Sequence, residues 1–365
     1  MKGASEVNIG IIGLGFGGKV QLPAFQSLEG VKVVALCDSG SGENIPREVE
    51  AAGYKVCHSY KEVITSEYVD AISVVTPPHI QREIVCEAMS LGKHVLCEKP
   101  FGRNAKDAKI MYHTAKQTSL VHAVDFEFRM EPGIRALKNE LLKGTVGEVI
   151  RIDVSWLTGG GLDPLRKWSW QHDSNLGGGV LGGFGSHIID YIQWITDSTI
   201  EIVYGRSGIL VPFRRDASGY SVKVTGEDSM DVICELSNGC TANLRFSNCF
   251  PYSWGHCIEV YGKGGRIILR HERPFTPESM VLQIENASCG LRSINLPSEK
   301  ASPSLDSRFV AFKGIAELFL AAIWGCPDQD LPTFETGLSV QNVMDAVRRS
   351  VNSKSAVVIT ESIEA

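Results

Sequence analysis

The chain has 365 residues, of which 43% are hydrophobic and 21% charged, and its formal net charge is -6. This length predicts two or three domains with sizeable cores, and the composition excludes the disordered, fibrous and low-complexity classes of protein. The negative charge argues against nucleic acid or an anionic membrane surface as a partner, because the largest basic clusters are the pairs Arg214-Arg215 and Arg348-Arg349.

In the first 125 residues, short continuous apolar runs alternate with segments of helical spacing, which is the pattern of parallel strands buried on both faces. Right-handed crossovers between such strands produce a doubly wound sheet whose ligand crevice lies beyond the carboxyl ends of the strands. We therefore predict an α/β, dinucleotide-binding Rossmann domain over residues 1–125. The predicted strands are residues 7–13, 31–37, 71–75, 94–97 and 121–124, and the predicted helices lie near residues 19–29, 79–91 and 105–118.

A glycine-rich motif follows the first predicted strand directly and satisfies the GxGxxG pattern. Gly13 permits a tight turn, Gly15 lets the backbone approach a pyrophosphate, and Gly18 lets the helix pack closely against the strand. The alternative is a glycine-rich turn at the surface with no ligand. The cofactor-binding candidates in this motif are Gly13, Gly15, Phe16, Gly17 and Gly18.

Asp38 ends the second predicted strand, twenty residues after Gly18. A carboxylate at this position accepts hydrogen bonds from the hydroxyls of the adenosine ribose and repels a 2′-phosphate. We therefore predict NAD as the cofactor, with NADP as the less favoured alternative.

Two further motifs stand at the ends of the third and fourth predicted strands. They are Thr76-Pro77-Pro78-His79 and the run Gly92-Lys93-His94-Val95-Leu96-Cys97-Glu98-Lys99-Pro100. Together with the glycine motif, they resemble the Gfo/Idh/MocA oxidoreductases, the family of glucose-fructose oxidoreductase and inositol dehydrogenase. Residues 144–149, 177–179 and 185–187, together with Asp190, extend the resemblance into the second half of the chain.

Lys99 stands at the carboxyl end of an inner strand, before a proline, so its ammonium is expected to point into the crevice where a nicotinamide would lie. There it would donate a hydrogen bond to a substrate oxygen, or act as a base if desolvation lowers its pKa. The alternative is a lysine paired with Glu98 at the domain edge, and the resemblance favours the catalytic role. Further cofactor-binding candidates are Thr76, Pro77, Glu98 and His79, although His79 is also explained as part of the first turn of a helix.

The second half of the chain, residues 126–365, is predicted to be a substrate-binding α+β domain. Its strands alternate apolar and polar residues, which indicates a large, mostly antiparallel sheet with one open face. The resemblance implies that this open face joins two copies of the chain, as a homodimer or within a homotetramer. The predicted strands are residues 148–157, 201–211, 229–236, 240–248 and 256–269, and the predicted helices are residues 132–143, 309–324 and 335–351, the last packing back towards the first domain.

The segment 177–190 is the chemical centre of this second half. Its three consecutive glycines would let a loop approach a ligand closely, and a helix opening near Gly185 would place His187 in its first turn. An imidazole suits proton transfer at a carbinol oxygen while hydride moves at the same carbon. The alternative is a first-turn histidine bonded to the backbone. Asp190, one turn later, would orient the ring or only pack at the domain boundary.

One position departs from the family pattern. Many relatives have an acidic residue four positions before this histidine, where the present chain has Gly183. Either Lys99 and His187 share the proton transfer, or another acid such as Asp173 takes part. Gly183 also leaves open a protein that binds cofactor and ligand without turnover.

The loop before the three glycines has the composition of a sugar-binding wall. Trp168 and Trp170, with Lys167 and Asp173 close by, would stack on the apolar face of a ring and bind its hydroxyls. Equally, the two tryptophans would plug the junction between domains. Arg129 is a candidate for binding a polar or anionic group of the substrate.

The ten cysteines lack the paired CxxC spacing of a zinc site. We therefore expect buried free thiols, no metal and a reducing cytoplasmic compartment. Neither a signal peptide nor a membrane span is predicted, because the first apolar run is broken by glycines and no apolar stretch of about 18 residues follows.

These observations predict an NAD(P)-dependent oxidoreductase that interconverts a secondary alcohol and a ketone on a sugar, a polyol or a sugar derivative. Lys99 and His187 would be its catalytic residues, and Arg129, Lys167, Trp168, Trp170, Asp173 and Gly183 would contact the substrate. A second hypothesis is a ligand-sensing regulatory protein of the same fold. A third is an enzyme that oxidises an acyclic hydroxy acid or reduces an imine.

Overall fold

The computed structural model describes residues 6–38, 49, 54, 56–252, 255–271, 279–296 and 305–359. The chain divides into two compact units, the first made of Met1–Met130 with Lys300–Ser339 and the second of Glu131–Glu299 with Val340–Ala365. The first unit thus includes residues 300–339, whereas a single domain boundary after residue 125 assigns them to the second domain. The predicted division into folding domains stays a prediction.

The first unit contains a six-stranded parallel sheet with the strand order β3-β2-β1-β4-β5-β6. Because the order reverses between β1 and β4, a ligand crevice is expected at the carboxyl ends of these two strands. The prediction of a doubly wound α/β sheet is confirmed. Its strands are β1 Val7–Ile12, β2 Val31–Cys37, β3 Val56–Cys57, β4 Ala71–Val74, β5 His94–Glu98 and β6 His122–Asp125.

The second unit contains a nine-stranded mixed sheet with the order β16-β15-β14-β13-β7-β12-β11-β8-β17, in which β7 and β12 are parallel and the other described pairs antiparallel. Two further strands, β9 and β10, form a separate hairpin. The strands are β7 Val149–Leu157, β8 Ile200–Gly208, β9 Phe213–Arg215, β10 Ser221–Lys223, β11 Ser229–Leu236, β12 Thr241–Ser247, β13 Gly255–Gly262, β14 Gly265–His271, β15 Met280–Asn286, β16 Gly290–Ile294 and β17 Val357–Val358.

One predicted strand, residues 256–269, is wrong as a single element. The chain reverses at Lys263 and Gly264, and Gly262 pairs with Gly265 across the turn between β13 and β14. Gly262, Gly264 and Gly265 interrupt the apolar pattern and mark this turn in the sequence, although the single predicted strand runs through them.

Two of the described helices begin at residues whose side chains cap them. Ser59 and Glu62 form a capping box at the start of α2, and Asn104 accepts a hydrogen bond from the backbone of Asp107 at the start of α4. The α-helices are α1 Leu22–Gln26, α2 Tyr60–Ile64, α3 Pro78–Ser90, α4 Ala105–Lys116, α5 Pro132–Leu142, α6 Ser186–Thr196, α7 Phe309–Ile323 and α8 Phe334–Ser353. Short π-helical turns precede α1 and α6, at Gly17–Gln21 and Leu181–Gly185.

Each unit has an apolar core. In the first, the apolar stripe of α7, which includes Phe312, Ile315 and Phe319, packs with residues of β1 and α1. In the second, β11 alternates buried and exposed residues, so that Val232 is buried while its neighbour Ile233 is 52% exposed. This alternation confirms a sheet with one covered and one open face.

All ten cysteines are free. Five of them are buried, as predicted, but Cys289 and Cys326 are exposed. No helix of the described ranges is long and apolar enough to cross a membrane. Within the same ranges, no group of three or more His, Cys, Asp and Glu side chains is arranged to hold a metal ion.

Candidate functional site

The glycine-rich turn of the first unit lies between β1 and the helical segment that starts at Gly17. Gly13 adopts a φ of 102°, and a side chain there would collide with the carbonyl of Val75. A Cβ built on Gly15 would meet no atom within 4 Å, so the backbone is open to close approach at this residue. Gly17 packs tightly against Ile11, because a Cβ built on Gly17 would lie only 3.0 Å from Ile11 Cγ2. The turn therefore fits a bound pyrophosphate.

Two buried polar atoms at the end of β4 have no hydrogen-bond partner among the described residues. They are the hydroxyl oxygen of Thr76 and Nδ1 of His79, which is the second residue of α3. Such atoms are costly to bury alone. A polar ligand at the carboxyl edge of the sheet would satisfy them, which agrees with a dinucleotide there. Pro77 lies between them as the residue before α3.

Asp38 follows β2 and is partly buried, and its backbone N–H donates to the carbonyl of Cys57. The predicted cofactor residues therefore lie at the carboxyl ends of four strands of one parallel sheet, β1, β2, β4 and β5. Which of them contacts the cofactor stays a prediction.

Lys99 follows β5 directly and has three carboxyl groups of the first unit near it. Glu98 and Asp125 are register partners on the neighbouring strands β5 and β6. The amide nitrogen of Gln21 donates to both, at 2.9 Å to Glu98 Oε1 and 3.2 Å to Asp125 Oδ2. Ser73 donates to the amide oxygen of Gln21 at 2.5 Å and so fixes the orientation of that amide.

Burial raises the pKa of all three carboxyl groups. Asp125 is fully buried, and its pKa lies well above the ordinary value because of burial and of the negative charges of Glu98 and Glu127. Burial also raises the pKa of Glu98, against a hydrogen bond from Asp125 and the charge of Lys99. Glu127 is 4% exposed, and burial raises its pKa to about 7, although the Lys99 ammonium acts in the opposite direction.

Arg308 brings a positive charge to the same unit from the segment before α7. Its guanidinium carbon lies 4.6 Å from the centroid of the Phe16 ring in the glycine-rich turn. It is held by Asp306, whose carboxylate accepts hydrogen bonds from Nε at 2.8 Å and from Nη2 at 2.7 Å.

In the second unit, His187 lies in the first turn of α6, as predicted, and is 2% exposed. The helical conformation already begins at Leu181, because a π-helical turn precedes α6. His187 is therefore not at a free helix end. Gly183 belongs to the π-helical turn, and a Cβ built on it would meet no atom within 4 Å. Asp190 is buried one turn further along α6.

The three glycines were predicted to let the loop approach a ligand closely. Two of them, Gly178 and Gly179, instead lie close to other residues of the chain. A Cβ on Gly178 would collide with the backbone of Trp170 and Gln171, and one on Gly179 with the carboxyl group of Glu227. Glu227 accepts a hydrogen bond from the N–H of Leu181 at 2.9 Å, and burial raises its pKa. These contacts fix the start of the helix that carries His187.

An aromatic stack lies beside His187. The rings of Trp156 and Phe184 are parallel within 9°, with centroids 4.4 Å apart, and the ring of His256 stacks on Trp156 at 4.8 Å. His256 shares a hydrogen bond of 3.0 Å with the hydroxyl of Tyr191. Burial lowers the pKa of His256 to about 3, so its ring is neutral at physiological pH. The stack provides a rigid apolar surface of the kind that binds the face of a sugar ring.

The other predicted substrate residues lie in different surroundings. Asp173 accepts hydrogen bonds from the backbone of Asn175 at 2.9 Å and from the hydroxyl of Thr225 at 3.0 Å, which makes it a turn cap. Lys167 is exposed, whereas Trp168 and Trp170 are partly buried. The indole N–H of Trp168 is buried without a partner among the described residues.

Arg129 is 6% exposed in the first unit and donates to the carbonyl of Asp330 at 3.2 Å. Its role in binding substrate stays a prediction, as do those of the residues in the loop before the three glycines.

Several side chains with evident local roles were missed in the sequence. In the first unit Asp125 and Glu127, at the end of β6 and just after it, gave a signal, because side chains at the carboxyl end of a parallel strand lie at the ligand edge of the sheet. Gln21, Ser73 and Glu227 gave none, since their role depends on contacts between distant parts of the chain. The missed residues are Gln21, Ser73, Asp125, Glu127, Trp156, Phe184, Glu227, His256 and Arg308.

Comparison with known proteins identifies both halves of the chain. The family model described as oxidoreductase family, NAD-binding Rossmann fold, matches residues 7–126, and the model of the GFO/IDH/MocA C-terminal domain matches residues 134–268. Glucose-6-phosphate 3-dehydrogenase of Bacillus subtilis is 25% identical over 92% of this chain and 94% of its own length. Levoglucosan dehydrogenase of Pseudarthrobacter phenanthrenivorans is 24% identical over 73% of this chain and 74% of its own length.

Among solved structures, levoglucosan dehydrogenase in complex with NADH and L-sorbose has the same fold. It superposes with a TM-score of 0.86 over 97% of this chain and 99% of that chain, at 23% sequence identity. The resemblance to this fold, predicted from the motifs, is confirmed.

Proposed function

Because the chain belongs to the GFO/IDH/MocA oxidoreductase family, we propose that it interconverts a secondary alcohol and a ketone on a sugar, a polyol or a sugar derivative. It is an NAD(P)-dependent oxidoreductase with an NAD-binding Rossmann unit. The substrate class is the proposed part. It is supported by the names of two relatives, which are dehydrogenases of levoglucosan and of glucose 6-phosphate.

The observation that carries the proposal is Lys99, at the carboxyl end of β5 and in the same unit as the glycine-rich turn. The pyrophosphate would bind over the turn, where Gly15 is open to close approach. Asp38 would accept hydrogen bonds from the ribose hydroxyls, which favours NAD over NADP. When bound, the nicotinamide accepts or supplies the hydride.

Lys99 and His187 are the proposed catalytic residues. The Lys99 amino group would move the proton of the substrate hydroxyl, and the His187 imidazole would act as a hydrogen-bond donor to the substrate. The aromatic stack of Trp156 and Phe184 would hold the apolar face of the substrate ring. Asp173 is already engaged as a turn cap, which argues against it as the replacement for the missing acid.

The competing proposal is a ligand-sensing protein that binds the cofactor without turnover. Gly183, in place of the usual acid, is the observation that favours it. An enzyme for an acyclic hydroxy acid or an imine would use the same architecture, but it has no need of the aromatic stack.

The assembly and location of the protein are also proposals. The open face of the nine-stranded sheet is suited to join two copies of the chain as a homodimer, or within a homotetramer. Free cysteines agree with a reducing compartment, for which we propose the cytoplasm.

A substrate screen tests the function. The purified protein is incubated with NAD and, separately, with levoglucosan, glucose 6-phosphate, other aldoses, polyols, uronates and amino sugars, and the absorbance of the reduced nicotinamide is recorded. We expect at least one ring compound to be oxidised, and no oxidation with Lys99→Ala as a control for contaminating dehydrogenases. Binding of NADH without any turnover across the panel would instead support the sensing protein.

A further inference from the structure

A buried glutamine of α3, Gln81, has no part in the reaction proposed above. It is the fourth residue of the helix and is 0% exposed, and the other buried residues of this helix are apolar. A side-chain amide has two hydrogens to donate and an oxygen to accept with, and each of these groups is costly to bury without a partner. A glutamine at this position therefore calls for a physical explanation.

The amide nitrogen and the amide oxygen of Gln81 are both bound to the backbone. The nitrogen donates to the carbonyl of Thr76 at 3.1 Å and to that of Glu98 at 3.0 Å. The oxygen accepts from the N–H of Gly102 at 2.7 Å. These partners lie in the loop after β4, at the end of β5 and in the loop after β5. One side chain thus joins the ends of two neighbouring strands.

Two of the three backbone partners lie on either side of Lys99. Glu98 precedes the lysine directly, and Gly102 follows it by three residues. Between them, Phe101 is 1% exposed, and its ring centroid lies 4.4 Å from that of Phe334. The backbone that carries the lysine is therefore held before and after it, and the direction of the lysine side chain depends on the glutamine amide.

The carboxyl group of Glu98 is held separately, by Gln21. The amide nitrogen of Gln21 donates to Glu98 Oε1 at 2.9 Å, and Ser73 donates to the amide oxygen at 2.5 Å. The last residue of β5 is thus fixed by one amide at its side chain and by another at its backbone. An amide is needed at Gln81, because a carboxylate there would face two carbonyl oxygens without a hydrogen to donate.

We propose that Gln81 is a positioning residue for Lys99. It holds the backbone on both sides of the lysine and joins it to Thr76, at the edge of the sheet where the dinucleotide is proposed to bind. The inference rests on the proposed function, because only that function makes Lys99 catalytic. Proton transfer requires the two groups within hydrogen-bond reach, and a displacement of about 1 Å costs on the order of a hundredfold in rate.

The first test needs neither substrate nor cofactor. Phenylalanine labelled with ¹³C at its carbonyl, together with glycine labelled with ¹⁵N, marks only the Phe-Gly pairs of the chain, whose glycines are Gly17, Gly102 and Gly185. The Gly102 signal is assigned by its loss in Phe101→Leu, and the exchange of its N–H with deuterium is followed by NMR. We expect Gln81→Met to speed this exchange at least about tenfold, because the N–H loses its acceptor. The other two signals should keep their rates.

Lys93→Met is the matched control, since Lys93 is likewise buried, 9% exposed, and stands directly before β5. Its amino group donates to the carbonyls of Ser66 and Val69 at 2.8 and 2.7 Å, so the variant also removes hydrogen bonds to the backbone, at the opposite end of the strand. It should lower the Tm but leave the Gly102 exchange unchanged. The proposal is overturned if Gly102 exchanges at the wild-type rate in Gln81→Met, or if Lys93→Met accelerates the exchange equally.

The second test uses the substrate found by the screen. We expect Gln81→Met to lower kcat about ten- to a hundredfold. KM for the substrate and Kd for NADH should change by less than about threefold, because no group that binds either ligand is removed. Gln81→Asn keeps the amide but is one methylene shorter, so it should show the same pattern even if Gln81→Met folds poorly. Lys93→Met should keep the wild-type kcat.

Two kinetic results would refute the proposal. One is a wild-type kcat in the Gln81 variants, and the other is an equal loss of kcat in Lys93→Met, which would reduce the role of Gln81 to general stability. A screen that finds no substrate would contradict the proposed function, but the exchange of the Gly102 N–H would still decide whether Gln81 holds this backbone. Failure of the function and failure of this inference are therefore separable.

Discussion

Lys99 and His187, the two proposed catalytic residues, have different surroundings within their own units. Lys99 stands among buried acids in the first unit, whereas His187 lies beside the aromatic stack of the second. We predict that Lys99→Ala and His187→Ala each lower kcat by at least about a hundredfold, the usual effect of losing a general acid or base. NADH affinity, measured by fluorescence titration, should change little. Unchanged kcat in either variant would remove that residue from the chemistry.

Asp38 is predicted to decide between the two nicotinamide cofactors. Its carboxylate would bind the ribose hydroxyls of NADH but repel the 2′-phosphate of NADPH. We therefore expect NADH to raise the Tm of the protein more than NADPH at equal concentration, because only a ligand that binds the folded state stabilises it. Asp38→Ala should reduce the difference. Equal shifts in the wild type would contradict the role given to Asp38.

At the scale of single elements, the π-helical turn Leu181–Gly185 contains one glycine with space for a side chain and one without. A methyl group on Gly183 would meet no atom, whereas one on Gly185 would lie 2.9 Å from Leu181 Cδ1 and 3.0 Å from Phe246 Cζ. Gly183→Ala should therefore raise the free energy of unfolding by about 0.5–1 kcal/mol. Gly185→Ala should lower it by about 1–3 kcal/mol. Urea denaturation of the two variants checks the pair, and equal effects would refute the packing argument.

The sequence predicted the elements better than their ends. Long strands such as β2 and β11 lie at the residues predicted for them. Their apolar pattern is clear in the sequence, because a strand that is buried on one or both faces needs apolar residues at regular positions. β3 and α2 were not predicted, because they have only two and five residues and too few apolar positions to show a period. The hairpin between β13 and β14 was not predicted although its turn is marked in the sequence, since Gly262, Gly264 and Gly265 separate the two apolar runs.

At the scale of the whole molecule, the buried acids make stability depend on pH. Glu127 has a raised pKa in the folded state, so between about pH 4.5 and 7 the folded protein binds more protons than the unfolded chain. Its contribution is favourable at low pH, and stability falls as pH rises through this range. Relative to Glu127→Gln, the wild type should lose on the order of 1–3 kcal/mol of unfolding free energy by about pH 8.

Urea denaturation of both proteins from about pH 5 to about pH 8 measures this difference. Burial raises the pKa of Asp125 in both proteins, and the charge of Glu127 raises it further only in the wild type, so Asp125 adds to the difference in the same direction. Glu140 provides the opposite sign, because ion pairing and hydrogen bonds outweigh burial and lower its pKa. Its contribution is present above its ordinary pKa and is lost as pH falls. Parallel curves for wild type and Glu127→Gln would show that Glu127 is not protonated in the folded protein.

The sequence by itself determined the family, the doubly wound sheet, the glycine-rich turn and the position of Lys99 at the end of a strand. These features depend on the local spacing of apolar residues and on glycines at positions where the backbone favours glycine. The tertiary structure alone decided that Gly178 packs on its own chain, that Glu227 holds the turn before His187, and that Gln21 joins two acids from neighbouring strands. The hydrogen bonds of Gln21 and Glu227 connect residues 46 to 104 positions apart. No local pattern encodes them, since the partners meet only after the strands have paired.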